Sequence, residues 1–280
     1  MKFGLALGGG GARGAAHIGV LMELEQHGLW PDIVAGTSIG GLVSALIASG
    51  QHAAEIKAVF AQMRFGKMFS LPWQKPAIMD NRRLERLLVK SIGRPTFSDL
   101  KIPLAVMATV LEERKVVVLD KGDVVKAVLA TTAFPVALPP VAWQGKTLVD
   151  GGVLNNTPFD VAREMGANIV LGVDLANSAP YGTPVEAPPK SGLLHRLLSR
   201  AQGDPMYQAV STLADIVTYQ NVINHLEQSP PDLLLRPEIG TIGLFDFHRL
   251  DEGIRVGRQS AKEEVTTFKA WSHELEIAWA

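Results

Sequence analysis

The chain opens on an apolar run, Phe3 to Leu7, that stops at a cluster of glycines. A short apolar run bounded by glycine predicts a buried strand over residues 2–8. Ala15, Ile18, Val20, Leu21 and Leu24 then recur at near-helical spacing, with Glu23, Glu25 and Gln26 opposite. That spacing predicts a helix over 12–28, with Gly28 as its C-terminal cap. Ile33-Val34-Ala35 predicts a second buried strand, and Leu42 to Ser49 a helix of small residues. Strand, helix, strand and helix in close succession predict a parallel sheet covered by helices.

Residues 53–92 read as mostly helical, interrupted around Pro72 and Pro76. The Val-rich stretches 103–110 and 115–119, separated by Glu112-Glu113-Arg114, predict paired strands. A helix near 123–133 ends at Phe134-Pro135, and Thr147-Leu148-Val149 predicts a short strand. Pro158 suits the first turn of another helix. Ile169 to Leu175 predicts a buried strand, followed by helix 205–228, strand 232–236 and helix 250–270. Between them, residues 178–204 carry Pro180, Pro184, Pro188 and Pro189 and read as a loop or lid. The expected organisation is one domain over 1–280, with a motif-bearing core over about 2–175 and a helix-and-strand tail over 205–280.

Composition narrows the function classes. Lys plus Arg is 27 and Asp plus Glu is 28, a net charge of −1. A general nucleic-acid binder needs a basic face, so no nucleic-acid partner is expected. The chain has no Cys, which removes disulfide scaffolds, Cys-ligated zinc, iron–sulfur clusters and thiol nucleophiles. No signal peptide and no spanning helix are expected. The expected location is the cytoplasm, with peripheral contact at a membrane as an option.

Three glycine-rich signals carry the chemistry. Gly8-Gly9-Gly10-Gly11-Ala12-Arg13-Gly14 follows a strand and opens a helix. A dinucleotide site of this spacing needs an acid at the end of the second strand, where Ala35-Gly36-Thr37-Ser38 stands instead. A phosphate-binding P-loop needs Lys then Ser or Thr, where Ala15-Ala16 stands. What remains is a set of backbone N–H groups aimed at an anionic oxygen, or a tight turn. Gly36-Thr37-Ser38-Ile39-Gly40 has the nucleophile-elbow pattern at a strand-to-helix junction. Asp150-Gly151-Gly152 follows a strand and leads to Asn155-Asn156-Thr157-Pro158. Asp150 there is either a base at the sheet edge or an Asx turn. Of seven histidines, His248 is the best candidate for a triad, against a structural role.

Gly9-x-Gly11-x-Arg13-Gly14, Gly36-x-Ser38-x-Gly40 and Asp150-Gly151-Gly152, in this order, resemble the patatin-like phospholipases, and the tail 235–248 resembles small bacterial members. The resemblance covers roughly residues 2–175, and no motif residue departs from the pattern. It implies a three-layer α/β/α fold with a mainly parallel central sheet. It also implies a Ser–Asp dyad without a catalytic histidine: Ser38 as nucleophile, Asp150 as base, and the N–H groups of Gly9, Gly10 and Gly11 as oxyanion hole. Arg13, Gly14, Gly36, Gly40, Gly151 and Gly152 support the motifs. The implied substrates are carboxylic esters of lipids, with no metal and no cofactor. A weakly active or inactive regulatory or binding protein is the alternative, against which intact Ser38 and Asp150 argue.

An ordinary Asp is a weak base at neutral pH, so Asp150 is expected to work through a short contact with Ser38. Arg13 is open to two readings, a contact to substrate phosphate or a structural salt bridge. His17 reads as a hydrogen-bonded core histidine. Phe65, Met68, Phe69, Leu71 and Trp73 form an apolar cluster, for core packing or an acyl pocket. Leu193 to Leu198, with His195, Arg196 and Arg200, is a short amphipathic segment, for a lid or a membrane surface.

Overall fold

The structure, a computed structural model, describes residues 1–63, 81–135, 138–176 and 205–279. The apolar cluster 65–73 and the segment 178–204 lie outside the described residues.

Among the described residues, eight strands form one sheet: β1 (Phe3–Leu7), β2 (Ile33–Thr37), β3 (Leu104–Val110), β4 (Lys115–Leu119), β5 (Val141–Trp143), β6 (Lys146–Asp150), β7 (Ile169–Val173) and β8 (Leu233–Leu235). Their order is β5-β6-β3-β2-β1-β7-β8, with β4 paired to β3. The sheet is mixed. Strands β3, β2, β1, β7 and β8 run parallel, while β4 and β6 pair antiparallel with β3, and β5 with β6. Every residue of β1, β2, β3 and β7 is buried, as expected of strands covered on both faces.

The helices are α1 (Ala15–Gln26), α2 (Ile39–Ala48), α3 (Ala53–Gln62), α4 (Asn81–Ile92), α5 (Val124–Thr131), α6 (Phe159–Glu164), α7 (Pro205–Gln228), α8 (Leu250–Ala261) and α9 (Glu264–Trp279). The alternation along β1 assigns them to layers. Phe3, Leu5 and Leu7 join the large core with Ile18 and Leu21 of α1, Leu42 of α2 and Ile254 of α8. Ala6 faces the other way, with Ala35, Phe159, Ala162 and Val170 under α6. Small residues on that face let α6 and the turn after it lie close: a Cβ at Gly4 would be 3.5 Å from the Ala162 Cβ of α6 and 2.6 Å from the Ala167 Cβ.

The predicted helix 250–270 is two helices. Its break at 262–263 lets the second helix put Phe268 on Phe3, with ring centroids 5.2 Å apart. Strand β5, which the apolar pattern does not announce, is three residues long. It is folded onto β6 by Gln144 and Gly145, both at positive φ (48° and 80°), the two-residue turn that suits strand twist.

One feature of β3 positions the functional site. β4 pairs with residues 106–110 along one edge. Along the other edge β2 pairs with 104–107 and β6 takes over at 108–110. The ends of β2 and β6 therefore meet head to head on β3, with Thr37 opposite Met107 and Asp150 opposite Ala108.

Candidate active site

Ser38 is the residue after β2 and caps α2 with φ 55° and ψ −125°, a backbone conformation that side chains other than glycine rarely adopt. The turn is tight enough that its flanks must be glycine. A Cβ at Gly36 would sit 2.5 Å from the Gly40 carbonyl, and one at Gly40 would collide with the Leu7 carbonyl. Gly14 and Gly151 are likewise hemmed in, by Ile39 and by the Met107 carbonyl. Ser38 N–H donates to Thr131 Oγ1 of α5 at 2.8 Å, and Thr37 Oγ1 donates to the Asn155 carbonyl at 2.8 Å. The elbow is thus held from both sides. Its place at the start of α2 favours negative charge.

Ser38 Oγ donates to Asp150 Oδ2 at 2.5 Å. The other carboxylate oxygen, Oδ1, accepts Gly152 N–H at 2.8 Å, which fixes the carboxyl plane. Thr109 Oγ1 donates to the Asp150 carbonyl at 3.1 Å. Asp150 thus makes the Asx turn and faces the serine with the same carboxylate. Its side chain is buried, and burial pushes its pKa up to about 7, against the lowering pull of Ser38 and of Gly152 N–H. Desolvation thus lifts this carboxyl out of the ordinary carboxylate range toward neutral pH, and the short contact with Ser38 is present.

Strand-like pairing continues past the end of β1: Gly8 N–H donates to the Val173 carbonyl at 2.9 Å and Gly9 N–H to the Asn156 carbonyl at 3.0 Å. The expected donor at Gly9 is thereby spent within the protein. Among the described residues, Gly10 N–H and Gly11 N–H have no protein acceptor. Both stand where a one-turn 3-10 segment (Gly11–Gly14) leads into α1, the end of a helix that carries free N–H groups. Gly11, at φ 58°, passes so close to the Leu244 carbonyl that no side chain fits. Gly9 passes over Ser38: a Cβ there would be 3.1 Å from the Ser38 Cβ.

A cavity of about 290 Å³ opens beside Ser38 and Asp150. Its inner wall is apolar and buried, with Leu42, Met63, Leu84 and Leu138. Val153 and Leu213 stand exposed at its rim.

Arg13 is 3% exposed and makes a two-pronged ion pair with Asp215 of α7, at 2.6 and 3.0 Å, while its Nε donates to the Ile242 carbonyl at 2.9 Å. Of its two readings, the structure has the salt bridge. It ties the glycine loop to α7 and to the 239–242 segment. His17 is buried, with Nε2 2.7 Å from the Gly8 carbonyl, and burial lowers its pKa to about 4. It is a neutral core histidine under the glycine loop. His248 lies in a 3-10 turn (Phe247–Arg249), and no histidine is hydrogen-bonded to Ser38 or Asp150 among the described residues. Thr131, Asn155 and Asn156, which clamp the elbow and the glycine loop, were not assigned a role from the sequence. They act largely through a hydroxyl acceptor and main-chain carbonyls, which leave no motif beyond the Asn155-Asn156 pair after Asp150-Gly151-Gly152. Among the described residues there is no cluster of potential metal ligands. No described helix is long and apolar enough to cross a membrane.

The profile of the patatin-like phospholipases matches residues 5–163, which include all three glycine motifs and both partners of the Ser38–Asp150 contact. The chain belongs to this family. Curated relatives include lysophospholipase NTE1 of Candida albicans, 29% identical over 281 residues and 95% of this chain. Lysophospholipase NTE1 of Meyerozyma guilliermondii is 30% identical over 289 residues and 98% of this chain. The chain spans only 20% of the length of each of these relatives. Among solved structures, VipD from Legionella pneumophila aligns over 94% of this chain and 67% of its own, with TM-score 0.60 and 14% identity, a likeness of fold. The patatin-like fold of this chain is a mixed eight-stranded sheet between helical layers.

Proposed function

We propose that this patatin-like protein is a serine hydrolase of lipid carboxylic esters, phospholipids, lysophospholipids or simpler acyl esters. The observation that carries the reading is the 2.5 Å contact of Ser38 Oγ with Asp150 at the mouth of an apolar cavity. Ser38 Oγ attacks the ester carbonyl carbon while Asp150 Oδ2 takes its proton. Negative charge grows on the carbonyl oxygen, opposite the N–H groups of Gly10 and Gly11; loss of one such donor typically costs ~10²–10³ in rate. The intermediate collapses, the protonated Asp150 returns the proton to the departing alkoxide, and an acyl-Ser38 ester remains. Water attacks that ester, with Asp150 again accepting a proton and passing it to the departing Ser38 Oγ, and releases the fatty acid and free Ser38. The buried inner wall of Leu42, Met63, Leu84 and Leu138 suits an acyl tail. The exposed rim of Val153 and Leu213 suits approach to a lipid surface. The names of the NTE1 relatives make a lysophospholipid the first substrate to try.

Incubation with a fluorophosphonate and peptide mapping tests the reading. Labelling at Ser38 is expected, together with release of fatty acid from a lysophospholipid. Labelling elsewhere, or none with a folded protein, would sink it.

A further inference from the structure

We propose that Asn156 is a third hydrogen-bond donor to the reacting acyl group, its carboxamide N–H standing in for the Gly9 N–H that the fold has used. The inference rests on the hydrolase reading above. Asn156 is 2% exposed and lines the cavity beside Ser38 and Asp150. Its main-chain carbonyl holds Gly9 N–H at 3.0 Å. Its side chain lies against both functional loops. A Cβ built on Gly9 would come within 2.6 Å of Asn156 Oδ1, and one built on Gly152 within 2.9 Å. Oδ1 therefore faces Cα–H groups of the glycine loop and of the turn after Asp150, neighbours that suit an acceptor oxygen. The same side of Gly9 faces the Ser38 Cβ. The carboxamide is thus wedged between the glycine loop and the Asp150 turn, beside the nucleophile.

Nδ2 of this carboxamide is buried and has no hydrogen-bond partner among the described residues. Buried amide groups in native proteins are nearly always paired, so an orphan beside a nucleophile points to an acceptor that arrives with the ligand. An ester carbonyl oxygen drawn toward Gly10 and Gly11 is such an acceptor, and its hydrogen bond to Nδ2 strengthens as it becomes an oxyanion. Neighbouring Asn155 makes a contrast. Its Nδ2 is spent on Asp160, at 3.0 and 3.2 Å, so it is built into the scaffold.

The test begins with wild-type protein, ¹⁵N-labelled and reacted with a fluorophosphonate. Ser38 Oγ displaces fluoride, and a phosphonyl oxygen takes the oxyanion position. The Asn156 side-chain amide resonance is expected to move downfield on labelling. An unmoved resonance on protein fully labelled at Ser38 would overturn the assignment while leaving the hydrolase reading intact. Absence of labelling at Ser38 would overturn that reading and this assignment with it. In parallel, Asn156→Ala and Asn156→Asp, where their melting curves match wild type, are expected to lower kcat ~10²–10³-fold with KM changed little. Wild-type kcat in a folded Asn156→Ala protein would overturn the proposal. If neither variant folds, the wild-type resonance decides.

Discussion

Ser38 and Asp150 are 112 residues apart in the chain and their side-chain oxygens are 2.5 Å apart. Strand β3 makes the meeting. Two consecutive residues on one of its edges, Met107 and Ala108, pair with Thr37 at the end of β2 and with Asp150 at the end of β6. A parallel strand and an antiparallel one thus finish against each other, and the residues at their ends come into hydrogen-bond range. The mixed character of the sheet is what produces the pair. A purely parallel sheet would need β6 to arrive from the other direction, with its end far from Ser38.

Replacement of Ser38 separates chemistry from backbone geometry. Ser38→Ala and Ser38→Gly are both expected to abolish ester hydrolysis, since neither carries an oxygen for attack. Their stabilities should differ. With φ at 55° the position disfavours any Cβ, so Ser38→Gly is expected to be the more stable variant by about 1 kcal/mol. Denaturant melts of the two proteins check this. Equal midpoints would show that the elbow holds no backbone strain, and turnover by either variant would remove Ser38 as nucleophile.

Arg13 is expected to matter for folding and to be indifferent to substrate phosphate. Its guanidinium is buried and bonded to Asp215 and Ile242, so Arg13→Ala leaves Asp215 without its partner. Breaking a buried pair from one side typically costs about 3–5 kcal/mol, and a figure toward the lower end is expected because Asp215 is 18% exposed. The measurement is a urea melt, with hydrolysis of phosphate-bearing and phosphate-free acyl esters alongside. A selective loss on the phosphate-bearing ester, at unchanged stability, would return Arg13 to the substrate.

Much of the site was legible because its demands are local. The elbow needs glycine on both sides of Ser38, and the strand ends are marked by apolar runs that stop at glycine. The bounds of α7, Pro205 to Gln228, agree with the helix expected over 205–228. What escaped depends on partners distant in the chain. Gly9 N–H is taken by Asn156, and nothing in the glycine run distinguishes it from Gly10 or Gly11. The raised pKa of Asp150 comes from the protein packed around it, which a motif does not encode. The close packing of α1 on α8 uses Gly19 and Gly257, where any Cβ would strike the Ile254 or the Ala16 carbonyl. In the sequence those glycines look like weak spots in two helices.

The pH dependence of Asp150 is the sharpest consequence of its burial. The folded protein holds the Asp150 proton up to about pH 7, whereas an unfolded chain releases it near 3.8. Between these values the native state binds more protons than the unfolded state, so this group's contribution falls as pH rises and levels off above about 7. In full, the difference corresponds to about 4 kcal/mol, since each pKa unit is about 1.4 kcal/mol. Asp150→Asn removes the charge that has to be buried and keeps the shape. The variant is expected to lack hydrolysis yet to be more stable than wild type at pH 8, by about 1–3 kcal/mol, with the gap closing toward pH 4. His17 supplies an opposing slope in both proteins: its depressed pKa gives stability that is present above pH 6.5 and lost as pH falls toward 4. Because both proteins share it, the difference between their melting curves isolates Asp150. In kinetics, kcat/KM of the wild type should rise with pH through an apparent pKa near 7, where Asp150 becomes a free base. A variant less stable at pH 8 than at pH 5, relative to wild type, would mean that the hydrogen bonds from Ser38 and Gly152 hold Asp150 ionised in spite of its burial.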